Sequence, residues 1–323
     1  MSGAQEQSDL LVHRMTREAA GVLSVDLVHP QGKPLPAWTP GAHVDLSLGG
    51  LVRQYSLCGD PADASRYRVA VLRDPDSRGG SAYVHDTLRP GGLVAVRGPR
   101  NHFELADAES YVFVAGGIGV TPLLTQAREA RERGRSWQFW YAGHSRASMA
   151  FCEELSVLAD AKCQVVLHPK DEFGRLDLDR VLAAAPAGAL VYCCGPERLT
   201  SAVRAGCAAL GVGCRLHVEH FSSAASAAAE NEGEERAFEV ECARSGVTVT
   251  VGPEESIVDA LENVGVVLDA SCRDGVCGTC EVPVLEGEPD HRDMVLTDEE
   301  RAANATVLVC VARCRSQRLV LDL

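Results

Sequence analysis

Up to about residue 105 the apolar positions alternate with polar ones in short runs, HVDLSL, RQYSL, YRVAVL and LVAVRG, broken by Gly, Pro and Asp clusters. A period of two over four to eight residues is the pattern of half-buried strands, and several in series predict an antiparallel barrel. From Tyr111 the texture changes. Continuous apolar runs (YVFVAG, WQFWYAG, QVVLH, ALVYCCG) alternate with helix-period stretches such as PLLTQAREARERG and ERLTSAVRAGCAALG, which predicts βαβ units on a parallel sheet. After the stretch SSAASAAAENEGEER, Ser222 to Arg236, the chain resumes with FEVECA and VTVTVG as a hairpin, SIVDALENVG as a helix, and CEVPVLEG and RLVLDL as further strands. The small-residue, Glu-rich stretch reads as a linker. The domains expected are therefore 1–105, a β-barrel; 106–222, an α/β nucleotide-binding domain; a linker at 223–236; and 237–323, a small mixed β domain.

Charge separates the same segments. Residues 230–323 carry 21 Asp and Glu against 8 Lys and Arg, and residues 1–229 carry 24 against 23, so nearly all of the net charge of −14 lies in the last segment. Such a segment repels nucleic acid and acidic membrane surfaces and is steered towards a basic protein surface. The opening MSGAQEQSDLL has no basic start followed by an apolar run, so no secretory signal is expected. The uncharged stretch from Ser110 to Ala127 holds three glycines and Pro122, which suits strand, turn and helix rather than a membrane span. Most of the thirteen cysteines sit singly in apolar segments, as Cys163 and Cys207 do. That is the usage of a reducing cytoplasm.

Three places carry chemistry. In RQYSL, strand alternation puts Arg53 and Tyr55 on one face and Ser56 on the other. Arginine can fork two hydrogen bonds to a phosphate, and tyrosine offers a flat face to a ring. Some twenty-five residues on, Gly79 and Gly80 precede Ser81 and a helix-like run, where close backbone approach and a helix start favour an anion, with Ser81 as the cap. Together they suggest a phosphorylated aromatic cofactor.

YVFVAGGIGVTPLL runs from a buried strand through Gly116, Gly117 and Gly119 into a helix, with Thr121 as the expected cap and Pro122 at its first position. The spacing departs from GxGxxG, but the physics of a glycine turn facing phosphate is the same. A later strand ends in Cys193, Cys194, Gly195 and Pro196, at the edge where open sheets place ligands. The strand WQFWYAG ends in His144, Ser145 and Arg146 with no carboxylate. Ser145 and Arg146 could bind a ribose 2′-phosphate, which leaves both nicotinamide nucleotides open.

The third place is DASCRDGVCGTCEV, with Cys272, Cys277 and Cys280 in a CxxxxCxxC run. Zinc sites present paired CxxC motifs or a CxxC with paired His, and His291 has no partner at ligand spacing. The plant-type ferredoxin pattern is this run plus one distant cysteine. Cys310 supplies it, with Cys314 the alternative, and Gly275 and Gly278 suit a loop bent around cluster sulfurs.

RxYSL with a GGS turn, GGIGVTPLL, CGP, HVEHF and the carboxyl-terminal cysteine pattern together resemble the phthalate dioxygenase reductase family, which includes vanillate demethylase reductases, over residues 10 to 323. The resemblance implies FMN in the barrel, a ferredoxin-reductase-like nucleotide domain taking NADH or NADPH, and a 2Fe-2S cluster in a β-grasp ferredoxin domain. It implies that Arg53 and the Gly80–Ser81 turn hold the FMN phosphate, that Tyr55 flanks the flavin and that Ser56 bonds near its hydride-accepting nitrogen. Gly116, Gly117, Gly119 and Thr121 would face the dinucleotide, and Cys194, Gly195 and Pro196 would guide the nicotinamide. Phe221 in HVEHF would lie against the flavin with Glu219 beside it. The expected function is electron transfer from NAD(P)H to a terminal oxygenase, a Rieske non-haem iron enzyme or a haem monooxygenase, docked at the acidic ferredoxin domain of a monomer. The alternatives are a stand-alone flavin reductase and a zinc-stabilised binding module.

Overall fold

The computed structural model describes residues 7–75, 79–210, 215–221, 236–270, 272–273, 275–276, 278–296 and 298–323. The chain divides into two compact units, Met1–Phe221 and Ser222–Leu323. Within them lie three main sheets.

The first unit opens with β1 (Ser8–Ala19), β2 (Val22–Val28), β3 (His43–Leu48), β4 (Leu51–Ser56) and β5 (Arg66–Leu72), then helix α1 (Gly80–Asp86) and β6 (Leu93–Arg100). They pair antiparallel in the order β4-β3-β6-β1-β2-β5. A bridge between Leu57 and Val69 brings the end of β4 back to β5, so the sheet curls into a barrel. The alternation read in the sequence is its inner face: Val12, Val25, Leu27, Val44, Leu46 and Val69 have no measurable exposure and form one core.

The parallel sheet contains β7 (Ser110–Gly116), β8 (Ser136–Gly143), β9 (Cys163–Pro169), β10 (Leu190–Cys194) and β11 (Arg215–Glu219), in the order β11-β10-β7-β8-β9. It is crossed by α2 (Val120–Glu132), α3 (Cys152–Leu158), α4 (Lys170–Phe173), α5 (Leu178–Ala183) and α6 (Glu197–Leu210). Every residue of β7 is buried, as a central strand covered on both faces requires. Beginning at the centre, the chain winds out through β8 to β9 and then returns to β10, so the order reverses between β7 and β10. That reversal opens a crevice beyond the carboxyl ends of those two strands.

The adjacent cysteines resolve by strand alternation. Cys193 packs under α5 and α6, whereas Cys194 points to the opposite core with Phe113 and Leu123. The barrel is bolted to this sheet by Glu154, which pairs with Arg68 at 3.1 Å and Arg128 at 3.6 Å, and by Arg128 donating to the Gly59 carbonyl at 2.9 Å.

The second unit holds β12 (Phe238–Cys242), β13 (Val247–Val251), α7 (Ile257–Asn263), β14 (Glu281–Glu286), β15 (Pro289–Asp290), α8 (Asp298–Ala303), β16 (Thr306–Leu308), β17 (Arg313–Cys314) and β18 (Arg318–Leu321). The mixed sheet β13-β12-β18-β14-β16 has a parallel β12–β18 pair at its heart, and α7 buries Ile257, Val258 and Leu261 against it, which is the β-grasp arrangement. Ser256 caps α7, its hydroxyl accepting from the Asp259 backbone N–H at 3.0 Å. Arg313 is buried, donates to the carbonyls of Glu255 and Arg236, and lies 4.8 Å over the Phe238 ring. It ties both ends of the β12–β13 hairpin region to β17.

Candidate functional site

The barrel meets the parallel sheet at its functional edge. Ser56, at the end of β4, is buried, and its hydroxyl donates to the Glu219 carboxylate at the end of β11, 3.2 Å away. Cys194, at the end of β10, lies 3.9 Å from the same oxygen. Burial pushes the Glu219 carboxyl up to about 8, against the opposing pull of the hydrogen bonds from Ser56 and Cys194. The Cys194 thiol is held well above its ordinary range, first by burial and then by that carboxylate. It is a neutral donor here. Phe221, two residues beyond Glu219, is 41 % exposed.

Along β4, Tyr55 is half-buried against the barrel core, and burial raises its hydroxyl to about 12 despite the nearby Arg53 cation. Arg53 lies along the start of α1: a Cβ on Gly80 would stand 2.6 Å from the Arg53 Cγ, so the glycine leaves the space that the arginine stem occupies. The helix begins at Gly80, with Gly79 as its N-cap, two residues earlier than a Ser81 cap requires. The Ser81 hydroxyl instead accepts from the Asp74 backbone N–H at 3.2 Å and fastens the preceding loop. An arginine, a glycine helix start, a tyrosine face and a buried hydroxyl in one row fit the phosphate, ring and ring nitrogen of a flavin mononucleotide.

The nucleotide turn differs from the expectation in one respect. A 3₁₀ turn at Gly117–Gly119 leads into α2 at Val120, so the helix starts before Thr121. Thr121 is buried and its hydroxyl donates to the Ile118 carbonyl at 3.0 Å; it neither caps the helix nor faces the crevice. Gly119 is also inside. A Cβ there would fall 2.1 Å from the Cys194 carbonyl oxygen, so this glycine permits the turn to lie against the end of β10. The crevice is a cleft of about 530 Å³ lined by Gly116, Gly117, Gly143, His144, Lys170, Arg175, Pro196 and Arg198, among others. Ser145 and Arg146 do not line it. Ser145 sits in a reciprocal cap with Ser148, and Arg146 donates to Glu172 at 2.9 Å. The cations that do line it carry no motif of their own in the sequence: Lys170 opens α4, Arg175 follows that helix and Arg198 lies in the first turn of α6.

In the second unit, the Cys310 thiol is within hydrogen-bonding distance of both Cys272 and Cys280, and the contact holds it above its ordinary range while lowering Cys280. Among the described residues none of the three is in a disulfide, and Cys280 and Cys310 are buried. Cys314 faces Ser316 at 3.1 Å, in the β15–β17 ladder. Among the described residues no set of three His, Cys, Asp or Glu groups makes up a metal site by itself. A four-thiolate cage needs Cys277, which lies outside the described residues. Three thiols converging from a glycine loop and a distant strand end fit the donor set of an iron-sulfur cluster. The loop is pinned to α7 by Arg273, which pairs with Asp259 and Glu262 at 2.5 Å each. Gly275, with φ +69°, lies where a Cβ would stand 2.6 Å from Val311.

Residues 240–315 match the family model of the 2Fe-2S iron-sulfur cluster binding domain. The phenoxybenzoate dioxygenase subunit beta of Ectopseudomonas oleovorans is 43 % identical over 317 residues, covering 97 % of each chain. The solved structure of phthalate dioxygenase reductase, described as modular for electron transfer from pyridine nucleotides to [2Fe-2S], is 36 % identical, with a TM-score of 0.69 and 98 % of each chain covered. An intact type IV self-sufficient cytochrome P450 monooxygenase is 43 % identical with a TM-score of 0.87. That match covers 98 % of this chain but 41 % of the monooxygenase. Among the described residues, no helix is long and apolar enough to cross a membrane.

Proposed function

The chain belongs to the phthalate dioxygenase reductase family, and from that premise we propose that it carries electrons from NAD(P)H to a terminal oxygenase by way of FMN and a 2Fe-2S cluster. When bound, FMN accepts two electrons from the nucleotide and releases them singly to the cluster. The observation that carries the reading is the junction of Ser56, Cys194 and Glu219, where the cofactor edge of the barrel meets the switch point of the parallel sheet within hydrogen-bonding distance.

Each residue then has a positional task. Arg53, with the Gly80–Ser81 turn, holds the flavin phosphate, and Tyr55 and Phe221 cover the ring. The Ser56 side chain stands beside the reacting ring nitrogen, and Glu219 holds it in place. Cys194, Gly195 and Pro196 place the nicotinamide, while Gly116 and Gly117 admit the diphosphate. Cys272, Cys277, Cys280 and Cys310 hold the cluster, and no general base is required. Cys310 rather than Cys314 closes the cage because its thiol meets Cys272 and Cys280.

The acidic carboxyl-terminal segment is the docking surface, attracting a basic face of the oxygenase. The chain works as a monomer in the reducing cytoplasm, where thiols are kept reduced. The test is transfer. Cys277→Ser should abolish reduction of cytochrome c while sparing ferricyanide, and the intact chain should support turnover of a Rieske or haem oxygenase. Rapid reduction of artificial acceptors with transfer to neither oxygenase class would defeat the partner assignment.

A further inference from the structure

The cleft at the carboxyl edge of the parallel sheet has two walls of different chemistry. One is the switch point itself, with Gly116, Gly117 and Pro196, where backbone can approach a diphosphate. The other is built from the ends of β8 and β9 and the loop after α4, and contributes His144, His168, Lys170 and Arg175. In open α/β sheets an unphosphorylated ribose is recognised by a carboxylate near the second strand's tip, whose oxygens accept from the 2′-hydroxyl; an arginine there accommodates a 2′-phosphate instead.

Among the described residues no carboxylate lines this cleft. The nearest in sequence, Asp171 and Glu172, lie on α4 outside the lining, and Glu172 accepts from Arg146. Three cations take their place. Lys170, Arg175 and Arg198 are exposed to the cleft, and none of them forms an ion pair among the described residues. This is unusual in a chain where most other arginines are engaged, as Arg68, Arg100, Arg128, Arg135, Arg146 and Arg273 are. His168 stands on the same wall, with its Nε2 buried. Arg198 opens α6 beside Pro196 and lies on the diphosphate side. A diphosphate does not account for Lys170 and Arg175 on the far wall.

We propose that Lys170 and Arg175 bind the ribose 2′-phosphate of the nucleotide, so that the phosphorylated dinucleotide, NADPH, is the preferred electron donor. This rests on the reading that the cleft takes a pyridine dinucleotide. Two fragments separate the two claims: 2′,5′-ADP carries a 2′-phosphate and a 5′-phosphate, and 5′-AMP carries the 5′-phosphate alone. Calorimetric titration of the full chain should show 2′,5′-ADP binding more tightly than 5′-AMP. Lys170→Ala and Arg175→Ala should each reduce that affinity ratio roughly tenfold, the size of one lost charge-assisted hydrogen bond. The NADPH-to-NADH ratio of kcat/KM for ferricyanide reduction should fall in the same two variants. Equal binding of the fragments, or a kcat/KM favouring NADH, overturns the inference and leaves the cleft's assignment intact. Binding of neither fragment, with neither nucleotide reducing ferricyanide, overturns the cleft's assignment and the inference with it.

Discussion

Glu219→Gln is the perturbation that bears most directly on the junction between barrel and sheet. The side chain keeps its shape and an oxygen to accept from Ser56, but loses the charge that burial opposes. With the carboxyl raised from 4.5 to about 8, the folded state holds a proton that the unfolded chain releases. Stability therefore falls as pH rises from about 4.5 to about 8 and is level above that range. Full burial would put the cost at roughly 5 kcal/mol at pH 8 or above. Because Glu219 keeps partial exposure, solvent screening brings the working figure to roughly 2–4 kcal/mol. Below pH 4.5 the two forms are both neutral there and equally stable. The three tryptophans, Trp38, Trp137 and Trp140, all lie in the first unit, so their fluorescence during urea unfolding of the flavin-free chain reports that unit alone. The expected result is a stability advantage for the Gln variant that is near zero at about pH 4 and reaches roughly 2 kcal/mol or more by about pH 8.5. An advantage that does not change across this interval refutes the reasoning.

Further outcomes follow from the same contacts. Gly119→Ala puts a Cβ 2.1 Å from the Cys194 carbonyl oxygen, and since both partners are backbone the change should cost more than about 3 kcal/mol, seen as an earlier tryptophan transition with weakened nucleotide binding. Arg53→Ala should weaken FMN retention by roughly tenfold to a hundredfold, the loss of one or two charge-assisted hydrogen bonds to phosphate, measured by fluorescence recovery on reconstitution. Cys310→Ser should remove iron and sulfide from the second unit, whereas Cys314→Ser should retain both. Arg313→Ala removes two carbonyl contacts and a cation over Phe238 and should destabilise the second unit by roughly 2–4 kcal/mol, followed by far-ultraviolet dichroism.

The strands of the barrel were legible because each buries one face, so that HVDLSL and YRVAVL carry their period openly. The parallel sheet was legible for the opposite reason, its central strands being apolar throughout and separated by helical stretches. Arg53, Tyr55 and Ser56 could be assigned faces from strand alternation alone. What alternation could not give was the meeting of Ser56 and Glu219, 163 residues apart in sequence, since proximity of that kind is made by tertiary packing. Thr121 and Ser81 look like helix caps by residue type, yet each helix is capped two residues earlier, by Gly119 and Gly79. Local cap preference lost there to the close approach of backbone at the turns. The position of Arg146 at a strand tip points it to the phosphate, but Glu172 takes its guanidinium, and the cations that do face the cleft stand at helix starts and on a loop that no periodicity reveals. Cysteine spacing singled out the cluster loop, and only the fold could bring Cys310 rather than Cys314 to it.

The central claim is that one chain holds a flavin and a two-iron cluster in series behind a nucleotide cleft. An anaerobic absorbance titration of the purified full chain with NADPH, accompanied by flavin, iron and sulfide analysis, tests it most directly. The account predicts one FMN, two iron and two sulfide per chain, with flavin and cluster bands bleaching together as nucleotide is added. A colourless chain carrying zinc, or a flavin that bleaches in a chain without iron, would contradict it.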